Sequence, residues 1–256
     1  MAETRADRLG RMLNVTTELF IGRERELFWD GLLQGRSAKV LDIGCGNGTY
    51  LNQMRVWYPD AEFTGVELDK EMHRQAASLE QDRLRFVQGS YEQLDGSGPY
   101  DVVIARLVVL HIRNRMSFAD WLSRHTHERS TIVVIDYDDS RYRDDARLPQ
   151  FSALYRKSRR ALRGKGSFLD VPEALKFEFR QAGYVCARSE FYSVRAARPE
   201  LKLVCGAYMR HATEYLLDAP IGDEREDELQ AWLAAPDATM DIPMFGLAFG
   251  PSGEAS

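Results

Sequence analysis

The segment Val40-Leu41-Asp42-Ile43-Gly44-Cys45-Gly46-Asn47-Gly48 constrains this chain more than any other. A short apolar run enters three glycines at alternate positions, and the residues from Thr49 onward can open a helix. Glycine tolerates the left-handed backbone of a sharp strand-to-helix turn and lets a ligand approach the main chain. The N–H groups of the following helix then face that ligand. The spacing is G-x-G-x-G. A dinucleotide fingerprint wants Gly or Ala three places after its second glycine, where this chain has Thr49. An acid, Glu67, closes the next apolar run 19 residues after Gly48, about where a carboxylate reaches ribose hydroxyls.

Short apolar runs alternate with amphipathic stretches along most of the chain, which predicts a parallel sheet with helices on both faces. Strands are expected at 39–43, 62–67, 84–88, 101–105, 131–136, 184–194 and 239–250. Pro243 in the last of these argues for a sheet edge or a bulge, because proline brings no N–H to a ladder. Helices are expected at 49–57, 70–79, around 118–124, 148–162, from Pro172 to a stop at Gly183, 199–218 and 223–235. This gives one Rossmann-like α/β domain over 1–256. A helical front (1–37) precedes a core (39–137), a polar lid insertion follows (138–170), and the second half of the sheet completes it (172–256).

Composition narrows the function. With 44% hydrophobic and 29% charged residues the chain is neither disordered nor fibrous. A net charge of −5 disfavours a general nucleic-acid binder, and no apolar run is long enough to span a bilayer. Residues 1–11 mix acids and arginines and lack the apolar core of a secretory signal. Cys45, Cys186 and Cys205 have neither CxxC nor Cys–His spacing, so disulfide scaffolds and zinc modules fit poorly. These observations predict a cytoplasmic protein that needs no nucleic acid or membrane, with a homodimer left open.

The pieces V-L-D-I-G-C-G-N-G (40–48), Y-P-D-A-E-F-T-G-V-E-L-D-K-E-M (58–72), R-F-V-Q-G-S (85–90), Y-D-V-V-I-A-R-L-V-V-L-H-I (100–112), T-I-V-V-I-D (131–136) and L-K-F-E-F-R-Q-A-G-Y (175–184) occur in that order. Together they resemble the class I S-adenosylmethionine-dependent methyltransferases, over roughly residues 39–194. The resemblance implies a Rossmann-like fold with a seven-stranded, mostly parallel sheet, and S-adenosylmethionine as cofactor with S-adenosylhomocysteine as product. It implies that Gly44, Cys45 and Gly46 pass the amino-acid end of the cofactor with Asp42 beneath. Glu67 then takes the ribose, with Leu68 beside it and Met72 near the adenine. Ser90 stands where many relatives have an aspartate on the adenine amino group, and Tyr91 would lie along that ring. Ala105 and Arg106 would lie near the sulfonium, and Arg23, on a helix closing over the cofactor, near its carboxylate. His111 is a general-base candidate, because imidazole takes protons at neutral pH.

Phe20, Tyr137 and Tyr155 are expected in a substrate pocket, among further aromatics at Phe28, Trp29, Phe151, Phe168, Tyr208, Tyr215 and Phe245 and the nearby Met244. Asp136, Asp138 and Asp139 follow the fifth strand but lack a recognisable further ligand set, so no metal is expected. His125 and His127 read as solvated residues of one helix, His73 and His211 as surface residues, and Arg156 to Lys165 as a solvated basic face. The expected function is methyl transfer to an O, N or C atom of a small molecule. A bias of 28 arginines to 6 lysines hints at a GC-rich bacterial genome and a natural-product intermediate. A methyltransferase for RNA or protein, and a non-catalytic Rossmann-like binding subunit, are the alternatives. The Asn/Asp-Pro-Pro-aromatic motif of amino-methylating nucleic-acid enzymes is replaced here by Ile104-Ala105-Arg106-Leu107.

Overall fold

The structure, a computed structural model, describes residues 3–94, 98–112, 114–164 and 172–252. Helix α1 (Arg5–Glu24) starts at a capping box between Thr4 and Asp7, continues through a π-helical turn (Arg25–Trp29) and ends in the short α2 (Asp30–Leu33). Then follow β1 (Lys39–Ile43), α3 (Thr49–Trp57), β2 (Glu62–Glu67), α4 (Lys70–Ala77), β3 (Leu84–Gln88) and β4 (Tyr100–Arg106). The second half comprises α5 (Arg115–His125), β5 (Thr126–Tyr137), α6 (Pro149–Gly164), α7 (Pro172–Gln181), β6 (Tyr184–Arg195), α8 (Pro199–Leu217), α9 (Asp223–Ala234) and β7 (Asp241–Pro251).

Among the described residues the strands form one seven-stranded sheet in the order β3-β2-β1-β4-β5-β7-β6. The first five are parallel, and β7 runs antiparallel to both β5 and β6. The central strands are covered on both faces, which explains why they read as unbroken apolar runs. Along β4, Val102 and Ile104 face one core layer while Val103 and Ala105 face the other, as a period of two requires. No helix among the described residues is long and apolar enough to cross a membrane.

Three expectations need correction. Strand β7 is interior rather than an edge. Pro243 is tolerated because the β5 ladder ends at the pair Tyr137–Met244. Its backbone therefore faces past the last β5 residue, where its carbonyl accepts from Asp138 N. His125 and His127 do not share a helix: His125 ends α5, stacked on Trp121, and His127 lies in β5 beside Asp101. His73 and His211 have partners after all, the Phe86 carbonyl and the Arg11–Glu214 pair. Phe168 and residues 165–170 of the expected insertion lie outside the described residues.

Candidate active site

At the carboxyl end of β1 the chain turns through Gly44, Gly46 and Gly48 with φ of +70°, +59° and +77°. A side chain is strained there, and space forbids one as well. A Cβ on Gly44 would stand 2.6 Å from Val108 Cγ2, and one on Gly46 would stand 2.6 Å from Leu13 Cδ1. The N–H groups of Gly44 and Cys45 both reach the Val66 carbonyl, at 2.8 and 3.1 Å, tying the turn to β2. Glu67, at the end of β2, secures it further: Oε2 accepts from Gly46 N at 2.9 Å and Oε1 from Asp69 N at 2.7 Å. Asp69 in turn caps α4 through the N–H groups of Glu71 and Met72.

Helix α1 is clasped onto this turn. Asn47 Nδ2 donates to the Gly10 carbonyl and, at 2.8 Å, to Asn14 Oδ1, which also accepts from Thr49 Oγ1 at 2.8 Å. The covering helix was legible in the sequence, but the residues that hold it, Gly10 and Asn14, were not.

Below the turn Asp42 is 3% exposed and its Oδ1 has no hydrogen-bond partner among the described residues. Burial, reinforced by Glu67 and Glu24 and opposed by Arg106, pushes its carboxyl up to about 8. Such a site gains from an added cation or donor. An α-ammonium beside Asp42 and a ribose against Glu67, at a glycine turn too close to its neighbours for any side chain, are the complement of S-adenosylmethionine, so the residues present fit that cofactor.

The remaining cofactor residues divide. Met72 is buried on α4, whereas Leu68 is 69% exposed. Ser90 caps the 3₁₀ turn Tyr91–Gln93, and Tyr91 packs edge-on against Phe118 and Trp121 at 5.2 Å each. Arg23 does not reach the glycine turn: it pairs with Glu26 at 2.7 Å on the exposed face of α1. Ala105 points into the opposite core layer. Arg106 is not directed at a ligand either. Its guanidinium pairs with Glu24 at 3.0 Å, with side chains 6% and 0% exposed, and lies over the Tyr50 ring at 4.3 Å. Glu24 also accepts from Tyr50 Oη and Tyr192 Oη, and Tyr50 Oη accepts from Trp29 Nε1. Sequence reasoning missed Glu24, because a lone acid beside Arg23 and Arg25 reads as part of a solvated face.

A second polar group collects beyond β5. Asp136 is 1% exposed; its Oδ1 accepts from Tyr137 N, while Oδ2 has no hydrogen-bond partner among the described residues. Tyr137 meets Phe20 edge-on at 6.3 Å and accepts from Tyr208 Oη. Tyr155 donates to Asp139 at 2.6 Å and accepts from Arg159 Nη2 at 3.0 Å. Arg159 pairs with Asp139 and lies 4.9 Å from both the Tyr137 and Tyr155 ring centres. The structure thus brings Phe20, Tyr137, Tyr155 and Tyr208 together. Phe28, Trp29, Phe151 and Met244 serve one core layer and Phe245 the other, while Tyr215 lies under Arg5. Arg159 turns inward from the basic run that was expected to be solvated.

His111 sits on the 3₁₀ turn Val109–His111 that leaves β4, exposed at its rim. Partial enclosure and the nearby Arg159 hold its pKa below the usual imidazole value, so it is neutral at pH 7. Asp138 is engaged by Ser140 and Arg141. Among the described residues no group of three or more His, Cys, Asp or Glu side chains could hold a metal ion. A hollow of about 440 Å³ lies at the opposite end of the sheet, lined by Lys39, Glu62, Arg83, Arg85 and Tyr100 among others. Open α/β sheets bind at the carboxyl ends of their strands, so the glycine turn marks the site and that hollow does not.

Comparison with known proteins agrees with this geometry. A trans-aconitate 2-methyltransferase of Deinococcus radiodurans is 35% identical over 60 residues, 23% of this chain and 23% of that protein, so the chain aligns with about a quarter of that relative. A phosphoethanolamine N-methyltransferase of Haemonchus contortus superposes with a TM-score of 0.60 at 14% identity, over 98% of this chain and 61% of that one. A cyclopropane synthase of Mycobacterium tuberculosis gives 0.56 at 16% identity, over 89% and 83%. At these identities the structures share the fold. A family model described as a methyltransferase domain matches residues 16–188, from α1 through the glycine turn to β6. The chain belongs to that methyltransferase-domain family, within the class I S-adenosylmethionine-dependent superfamily.

Proposed function

We propose that this chain moves the methyl group of S-adenosylmethionine onto an O, N or C nucleophile of a small molecule, an intermediate of natural-product biosynthesis. The observation that carries the cofactor assignment is the unpartnered Asp42 oxygen beneath the glycine turn. Asp42, the Gly44–Gly46 backbone and Glu67 would hold the cofactor's amino-acid end and ribose, with Met72, Leu68, Ser90 and Tyr91 around its base. When bound, the cofactor supplies a methyl group on a positively charged sulfur.

The chain's own task is alignment. Phe20, Tyr137, Tyr155 and Tyr208, brought together beyond β5, are the surface against which a small apolar or aromatic acceptor would lie. Holding acceptor and methyl donor in line can supply roughly 7–11 kcal/mol of the barrier. A neutral His111 at the rim can take the acceptor's proton. Ile104-Ala105-Arg106-Leu107 stands where amino-methylating nucleic-acid enzymes carry an Asn/Asp-Pro-Pro-aromatic motif, which weighs against an RNA substrate.

Calorimetric titration with S-adenosylmethionine and S-adenosylhomocysteine tests the cofactor reading. Both should bind, and Glu67→Ala should weaken them about ten-fold or more, since a hydrogen bond to a charged group is worth roughly 1.5–3 kcal/mol. No binding by the wild-type chain, or unchanged affinity in a folded variant, would overturn it. Methyl transfer from labelled cofactor to a small-molecule collection, but not to RNA or protein, is the expected next result.

A further inference from the structure

We propose a second ligand site at the amino end of the sheet, where Lys39, Arg83 and Arg85 hold the phosphate or carboxylate group of a small anionic molecule. Lys39, Glu62, Leu84 and Tyr100 are the first residues of β1, β2, β3 and β4, and all four line one hollow of about 440 Å³. That volume lies within the roughly 300–1,000 Å³ of ordinary small-molecule sites. The glycine turn stands at the other end of the same strands, so an occupant of the hollow leaves the methyl-transfer site open.

Two guanidinium groups in the lining are already positioned by bonds to the protein. Arg85 Nε donates to Thr64 Oγ1 at 3.0 Å, and Arg83 Nη1 donates to the Asp60 carbonyl at 2.9 Å. The terminal nitrogens of Arg85 meet no acceptor and no acid among the described residues. A guanidinium fixed through Nε keeps a planar pair of donors for an oxyanion. Lys39 adds an ammonium that has no ion-pair partner among the described residues. Arg83 sits at φ +61°, which glycine or asparagine adopts at less cost, so the turn alone does not call for an arginine. Two acids share the lining without neutralising it. Asp82 stands 4.0 Å from Arg83 Nε with its side chain 87% exposed, where water screens it. Glu62 lies opposite Lys39 across the β1–β2 pair. Three cations against two acids leave one positive charge among the described lining residues, and an anion supplies its complement. Tyr100 lines the same hollow; it is 2% exposed, and its hydroxyl has no hydrogen-bond partner among the described residues. The lining therefore holds a polar group that packing alone leaves unsatisfied.

The test uses glucose 1-phosphate, citrate and the neutral methyl glucoside as probes. Their binding to the full chain is followed by ligand-observed NMR, with and without S-adenosylhomocysteine. At least one anion should bind about ten-fold or more tightly than the glucoside, as expected for hydrogen bonds to a charged group. Glucose 1-phosphate alone assigns the site to phosphates, citrate alone to carboxylates, and both together to the shared oxyanion. Arg85→Gln should weaken the anion about ten-fold. Thr64→Val keeps charge and shape but frees Arg85, and should weaken it several-fold. Arg180→Gln, the same charge change on the exposed face of α7, should leave it unaltered. A glucoside that binds as well as both anions overturns the proposal, as does an anion affinity that survives Arg85→Gln. Equal losses in Arg85→Gln and Arg180→Gln, or no loss in Thr64→Val, would show that charge alone holds the probe, and would overturn it too. An affinity abolished by S-adenosylhomocysteine would place the probe at the glycine turn instead. Failure of S-adenosylhomocysteine to bind strikes the cofactor reading and leaves the comparison of probes and variants intact.

Discussion

His111 stands on a single 3₁₀ turn that leaves β4, and its neighbours set its protonation. Arg159 and partial enclosure keep the imidazole neutral, which is the form that accepts a proton. A phenol or hydroxyl nucleophile needs that proton removed, and an ammonium must lose one before nitrogen can attack. Single-turnover rates with saturating cofactor, measured on the acceptor found by the small-molecule screen, read this role directly. A base contributes roughly 100- to 10,000-fold, so His111→Ala and His111→Gln should each lose at least the lower figure. A loss below about five-fold would remove the residue from proton transfer and leave alignment alone. The sequence set this histidine apart from the other four by its place after β4, but its protonation was not legible there, because that depends on Arg159, 48 positions later in the chain.

The most elaborate buried contact between elements joins α1 to β4 and β6. Glu24 and Arg106 are 82 residues apart in sequence and pair at 3.0 Å, with Tyr50, Tyr192 and Trp29 completing the hydrogen bonds. This contact fixes the helix whose Leu13 and Asn14 lie over the glycine turn. Breaking it from one side leaves Arg106 charged, buried and alone, which typically costs 3–5 kcal/mol. Glu24→Gln should therefore lower the unfolding free energy read from denaturant titration by an amount in that range, whereas Glu24→Leu with Arg106→Met should recover most of it. Equal loss in the single and double variants would show that packing, not charge, dominates. The same pair shows where sequence reading stops. Strands β1, β2 and β3 were legible to the residue, since each is an apolar run closed by a glycine turn, an acid or a polar cap. Strand β5 was seen only at its apolar end, because residues 126–130 are polar and owe their extended form to pairing with β4 near Tyr100. The place of β7 between β5 and β6, and the partner of Arg106, depend on long-range contacts that leave no local periodicity.

Two buried carboxylates whose burial outweighs the nearby Arg106 and Arg159 give the whole molecule an unusual response to pH. Burial raises Asp42 to about 8 and Asp136 to about 7, from an ordinary value near 3.9. Between about pH 4 and 8 the unfolded chain has released these protons while the folded chain still holds them. The folded state then binds more protons, so stability falls as pH rises through this window. Below pH 6.5 the depressed pKa of His111 works the other way, and the lowered Asp7, Asp30, Glu214 and Glu226 act only near or below pH 4.5. The clean interval is therefore pH 6.5 to 8. There each raised carboxylate can contribute up to about 1.4 kcal/mol per pH unit, enough to lower Tm by several degrees in a chain of this size. Thermal melts of the chain measured without added cofactor should show that fall, and Asp42→Asn should remove much of it. Saturating S-adenosylhomocysteine should also flatten it, because an ammonium placed beside Asp42 favours the charged carboxylate in the folded state and brings its pKa back towards the unfolded value. A Tm that is constant or rises from pH 6.5 to 8 would contradict the raised protonation of both acids. A fall that the cofactor product leaves untouched would place its amino group away from Asp42.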